Sequence, residues 1–101
     1  MKIRRIVPNI SSNKIDESKY FYMEFLGMQL VMDMEWVLTF ASESNPTAQI
    51  NIIKSDNPSN SNISISIEVA DIDILYKKAN SLGYEITYSI RDEPWVSGGF
   101  L

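Results

Sequence analysis

The side chains that could carry chemistry in this sequence are few, and the two most versatile are missing. Among 101 residues there is no histidine and no cysteine. Without histidine the chain lacks the commonest general base and the commonest metal ligand. Without cysteine it has no thiolate nucleophile, no disulfide and no sulfur donor. A Ser-His-Asp constellation is excluded by composition. What remains are carboxylates, amides and rings. Asp33 and Glu35 alternate in a strand-like stretch, and Asp92 adjoins Glu93. Paired carboxylates can exchange protons, but acids flanking strand residues more commonly face water and aid solubility. Glu68 and Tyr22 are the groups left to act singly as acid or base. Trp36 and Trp95 can fill a core, anchor an interface or stack on a flat or cationic ligand. Gly98-Gly99 precedes no helix and makes no phosphate loop.

Charge narrows the partners. The formal net charge is −4, and the short cluster Lys2, Arg4, Arg5 is the one basic grouping. Nucleic-acid binding, which needs a basic stripe or patch, is not expected. A negative balance favours cationic ligands weakly at long range. No apolar run approaches a membrane span and the N-terminus has no signal-peptide stretch, so a cytoplasmic protein without a membrane partner is expected. With 45% apolar and 22% charged residues, the chain has the composition of one globular domain.

The elements that must position these groups follow from periodicity. Residues 3–11 read as a strand, with Ile6, Pro8 and Ile10 on one face and Arg5, Val7 and Asn9 on the other. Pro8 cannot donate to a ladder, so this strand is expected at a sheet edge or locally irregular there. Residues 16–26 read as a helix with Asp16 as N-cap, an apolar face of Phe21, Tyr22, Phe25 and Leu26, and Gly27 as its left-handed stop. Two strands follow: 28–35, with Leu30, Met32 and Met34 alternating against Val31, Asp33 and Glu35, and 36–41, with Trp36, Leu38 and Phe40 on one side. A fourth strand covers 48–54. Asp56-Asn57-Pro58-Ser59-Asn60-Ser61 is a linker with nothing to bury. The order then begins again. Residues 62–69 alternate Ile63, Ile65, Ile67 and Val69 with Ser64, Ser66 and Glu68. Asp71 caps a helix striped by Ile72, Leu75, Tyr76, Ala79 and Leu82. Gly83 stops it, and 84–90 reads as a strand. Strand, helix, Leu-Gly stop, strand is thus a repeated unit.

That repeat carries a family likeness. Ser18-Lys-Tyr-Phe21-Tyr22-Met-Glu-Phe-Leu26-Gly27-Met28 resembles the Phe-Tyr…Leu-Gly signature of the vicinal oxygen chelate superfamily, of glyoxalase, bleomycin-resistance and extradiol dioxygenase type. Ile65-Ser-Ile-Glu-Val69-Ala-Asp71-Ile is similar to the opening strand of its second module, and Glu93-Pro94-Trp95 to its Pro-Trp. The resemblance implies an α+β fold: two βαβββ-type modules, the second truncated, forming a curved mixed sheet around a cleft. It would occupy one domain, with module one at 1–55, a linker at 56–61 and module two at 62–101. Metal-dependent members place His or Glu on the first and fourth strands of each module. Here those positions fall near Val7, on Asn51 and near Ser64. Poor donors at all three imply no metal; no other cofactor is expected and no catalytic residue is assigned.

The C-terminus departs from the family pattern. Pro-Trp is followed by Val96-Ser97-Gly98-Gly99-Phe100-Leu101 rather than by a Gly-x-Arg-x-Phe continuation. Loss of one G from codons for Trp-Gly-Val-Arg-Arg-Phe-Phe yields Trp-Val-Ser-Gly-Gly-Phe-Leu, so the tail is expected to be a frameshifted ending. A shortened second module would leave a sheet edge and an apolar face uncovered, and a homodimer, side by side or with exchanged elements, is the expected remedy.

On this fold Arg5, Val7, Asn9, Gln49, Asn51, Ser64, Ser66 and Glu68 would face the cleft. The expected ligand-binding set is Val7, Asn9, Trp36, Asn51, Ser64, Ser66, Glu68 and Trp95, holding a cationic or aromatic small molecule. Three functions stand open: non-catalytic binding or sequestration in a dimer cleft, as in bleomycin-resistance members; a metal-independent enzyme using Glu68 or Tyr22; and a protein with no retained activity.

Overall fold

The computed structural model describes residues 1–58 and 65–84. The chain divides into two compact units, Met1–Ser61 and Asn62–Leu101.

The first unit is a mixed four-stranded sheet with one helical segment on it. Strands β1 (Asn9–Ser12), β2 (Gln29–Asp33), β3 (Val37–Ala41) and β4 (Gln49–Lys54) lie in the order β1-β4-β3-β2. β1 runs parallel to β4, and the other neighbours are antiparallel. Helix α1 (Ile15–Lys19) crosses from β1 and continues as a π-helical turn, Tyr20–Phe25. Together they supply the crossover that a parallel β1–β4 neighbourhood requires.

Register explains the core. Leu38 pairs with Ile52, which pairs with Ile10; Leu30 pairs with Phe40, which pairs with Ile50. These two rungs point toward the helical segment. There Tyr22 stacks on Phe40 at a ring separation of 5.1 Å, and Phe25 is buried. Phe40 is fully inaccessible, and Phe21 meets Tyr22 edge-on at 5.1 Å. A buried side chain of Phe size contributes about 1.5–3 kcal/mol, so this cluster holds the helix to the sheet.

Several expectations are corrected here. The first strand begins at Asn9, not at residue 3. Its parallel partner β4 starts at Gln49, so residues before Val7 have no strand to pair with. Pro8 does sit at the sheet edge, where its carbonyl accepts from the Asn51 amide at 2.9 Å. Asp16 is not the N-cap. The cap position is Lys14, which makes no side-chain cap bond, and Asp16 lies in the first turn beside the positive end of the helix dipole. The simple alternation of β2 fails because the register shifts between Leu30 and Met32. That bulge at Val31 leaves Leu30 opposite Phe40 but brings Met32 opposite Thr39 and Asp33 opposite Leu38. Leu30 and Met32 therefore face opposite sides, and Asp33 turns to the helix side, 3.6 Å from Lys19 Nζ.

In the second unit, α2 (Ile72–Ser81) begins as expected. Asp71 Oδ1 accepts from the Ile74 amide at 3.1 Å. Residues 65–69, expected as a strand, carry no ladder. Residues 62–64 of that expected strand, and 85–90 of the next, lie outside the described residues, as does the tail.

The two Leu-Gly stops are equivalent in kind. Gly27 has φ 72° and Gly83 has φ 75°, both in the left-handed region that favours glycine. At Gly83 the amides of Gly83 and Tyr84 reach the carbonyls of Asn80 and Ala79, the paired bonds of a Schellman ending. At Gly27 the Met28 amide reaches back to Tyr22, one residue further, because the π turn is wider.

Candidate functional site

The face of the sheet turned away from the helical segment carries a polar rung. Met32, Thr39, Asn51 and Asn9 are successive partners across four strands. Their side chains are linked: Thr39 Oγ1 donates to Asn51 Oδ1 at 2.6 Å, and Asn51 Nδ2 donates to Asn9 Oδ1 at 2.9 Å. Thr39 is only 6% exposed, so its hydroxyl depends on this acceptor. A second polar link lies beside the first. Arg5 Nη1 donates to Gln49 Oε1, and Gln49 Nε2 donates to the Pro46 carbonyl at 2.8 Å.

Thr39, Asn51 and Gln49 floor a groove of about 280 Å³ that Arg5, Val7, Val31 and Met32 also line. Its walls are apolar. Val31 and Met32 both reach it because the β2 bulge sets two residues of that strand against Thr39. The volume sits just below the about 300–1,000 Å³ usual for small-molecule sites.

A second depression of about 240 Å³ lies at the other end of β3, where Ile15, Val37, Leu38 and Ile52 are rimmed by Lys19, Asp33, Glu35 and Lys54. Two of its rim charges, Lys19 and Asp33, pair with each other at 3.6 Å.

Of the eight expected ligand-binding residues, the structure brings Val7, Asn9 and Asn51 together. Trp36 is elsewhere. It lies in the β2–β3 connection, 58% exposed, its carbonyl accepting from the Lys54 amide at 2.9 Å. It is three residues from Thr39 along the chain, about 10 Å at strand spacing, and does not line the groove. Ser66 and Glu68 are exposed residues of the irregular segment in the second unit. Ser64 and Trp95 lie outside the described residues. Arg5 and Gln49 line the groove as their strand parity implied. Thr39, Val31 and Met32 were not anticipated there. Thr39 had a signal in its parity opposite to Leu38 and Phe40; the bulge that redirects Val31 and Met32 had none.

The acid/base candidates are not arranged as a pair. Asp33 points to the helix side toward Lys19, and Glu35 sits outside the strand in a bend. Tyr22 packs on Phe40, the side of β3 opposite Thr39. Burial pushes its hydroxyl above the ordinary pKa of 10.0, away from use as a base.

The two described residues at the family's metal positions, Val7 and Asn51, do not fit a divalent ion; the third, near Ser64, lies outside the described residues. Val7 offers no donor, and both ends of the Asn51 amide are engaged by Thr39 and Asn9. Among the described residues no group of three His, Cys, Asp or Glu is gathered. No described helix is long and apolar enough to cross a membrane.

The model of the glyoxalase/bleomycin resistance protein/dioxygenase superfamily matches residues 2–101. The chain belongs to that superfamily. The match takes in both Leu-Gly units, as the repeat suggested. Among solved structures, a crystal structure of a bleomycin resistance determinant encoded on the transposon Tn5 is similar, with a TM-score of 0.72 at 18% identity. The superposition covers 96% of this chain and 84% of that one. At that identity the likeness speaks for a shared α+β fold. No curated protein sequence matches the chain significantly.

Proposed function

We propose that this glyoxalase-superfamily chain binds a small apolar or aromatic molecule in the groove of its open sheet face and releases it unchanged. The observation that carries the reading is the groove itself: apolar walls from Val7, Val31 and Met32 over a floor whose amides and hydroxyl are already hydrogen-bonded to one another. Such a floor orients a ligand through its remaining donor and acceptor capacity, while the walls supply affinity by burial. Of the expected ligand-binding residues, Val7 and Asn51 line the groove, and Asn9 holds the Asn51 amide from beside it. The enzyme alternative loses Tyr22, which lies on the wrong side of the sheet. The family likeness to a bleomycin resistance determinant supports binding in kind.

We read the working form as a cytoplasmic homodimer. Among the described residues β1 forms an edge of the sheet, and exposed Met1, Ile3 and Ile6 precede it, an arrangement that invites pairing with another chain. A single monomeric species in sedimentation at micromolar concentration would remove this part of the reading.

The binding test uses the full chain and the neutral bicyclic probe 2-naphthamide, followed by NMR titration. At about 0.3 kcal/mol per heavy atom a fragment of this size reaches a Kd of about 1 mM. Saturable binding that is lost in Val7→Trp, retained in Lys19→Ala, and leaves the probe chemically intact after prolonged incubation is expected. Absence of binding, or indifference to Val7→Trp, overturns the reading.

A further inference from the structure

We infer that the groove selects an anionic ligand: an apolar or aromatic body bearing a carboxylate or an equivalent planar anion, in preference to the cationic ligand that the chain's net charge suggests. The inference rests on the binding reading above and adds the sign of charge. The overall charge of −4 attracts cations only at long range and is screened over about 8 Å at physiological salt. Local charge decides once a ligand is seated. Arg5 is the one charged side chain among the described lining residues, and none of them is a carboxylate. The Lys19–Asp33 ion pair lies on the other side of the sheet and does not involve Arg5.

The Arg5 guanidinium is also oriented. The Pro46 carbonyl accepts from Gln49 Nε2 at 2.8 Å, which turns Gln49 Oε1 toward Arg5, and Arg5 Nη1 donates to it. One of the five guanidinium N–H donors is thereby used to fix the plane, and four remain for a ligand. A planar fork presented this way matches a carboxylate through two parallel hydrogen bonds. Gln49 is thus a positioning residue for Arg5. Its neutrality matters as much as its geometry, because a carboxylate in its place would satisfy the guanidinium internally. Arg5 itself is exposed, so water competes for it and the gain is modest.

The test compares three probes of one shape on the full chain at pH 7: 2-naphthoate, 2-naphthamide and 2-naphthylmethylammonium. The expected order is carboxylate, amide, ammonium, with the carboxylate about five- to tenfold tighter than the amide. Arg5→Gln, checked for native circular dichroism, should bring carboxylate and amide to equal affinity. Arg5→Lys should keep only part of the difference, because charge remains but the fork does not. Gln49→Glu should erase the carboxylate preference or reverse it toward the ammonium. Equal binding of all three probes to the native chain, or tighter ammonium binding, overturns the charge preference while leaving the groove as a binding site. Failure of every probe to bind overturns the site and the preference together.

Discussion

The two sides of β3 are built from one five-residue strand and do different work. Leu38 and Phe40 point into a dry cluster with Ile50, Ile52 and Tyr22, where shape and burial hold the helical segment to the sheet. Thr39, between them, points into a linked row of amides beside the groove. All five residues of the strand are buried, so exposure does not separate the sides. Chemistry does: from β3 itself one side presents only hydrocarbon, and the other presents a hydroxyl tied into a row of amides. A central strand can thus anchor the fold with alternate residues and furnish a site with the rest.

The largest test of this contrast is Phe40→Ala. It should cost about 3–5 kcal/mol, the usual range for emptying a large buried ring site, read as a fall in the urea midpoint. Thr39→Ala should cost distinctly less. Equal losses would mean that the groove side carries the fold as much as the helix side does. Next in size is Asn51→Ala, which leaves the buried Thr39 hydroxyl without its acceptor at about 1–3 kcal/mol. The double variant Thr39→Val/Asn51→Leu should recover much of that loss, since both polar partners go together. Strict additivity of the single effects would argue against a coupled polar row.

Tyr22 gives a smaller, pH-dependent reading of the dry side. Its folded pKa is raised by burial above the ordinary 10.0. Below pH 10 both states keep the proton and stability is unaffected by it. Above pH 10 the unfolded chain loses the proton first, so stability falls as pH climbs toward the folded value. Tyr22→Phe keeps the ring on Phe40 and should flatten this alkaline decline in Tm. The smallest effect is expected of Lys19→Ala. It breaks an ion pair whose side chains are 38% and 53% exposed, worth at most about 0.5 kcal/mol after solvent screening. A larger loss would show that the bulge placing Asp33 on the helix side is itself held by this pair.

Local signals were legible where a residue type answers to a local backbone demand. Gly27 and Gly83 sit at positive φ as their Leu-Gly contexts implied, and Asp71 caps α2 because its short carboxylate reaches the third amide beyond it. The segments of β3 and β4 stood out because Leu38, Phe40, Ile50 and Ile52 keep parity over several residues. Asp16 misled because an acidic residue in the first turn looks like a cap, and the cap is Lys14, two positions earlier. Residues 65–69 are irregular despite alternating Ile and Ser, because alternation is compatible with a half-buried strand but does not by itself make one. Val7, Asn9 and Asn51 could be drawn together by parity and family resemblance. Trp36 was drawn in by its size, which says nothing of where a connection points.

The sequence by itself determined the chemistry available: no imidazole and no thiol, a fixed set of amides, and glycines at the points where the chain must turn left-handed. It also determined membership in a superfamily whose metal positions here hold weak donors. Only the tertiary structure decided which of these groups meet. The parallel seating of β1 on β4 brings Asn9 to Asn51 from 42 residues away, and one bulged residue redirects Val31 and Met32 into the groove. The physical reason is that side-chain direction in a sheet depends on register, and register is settled between strands rather than within them.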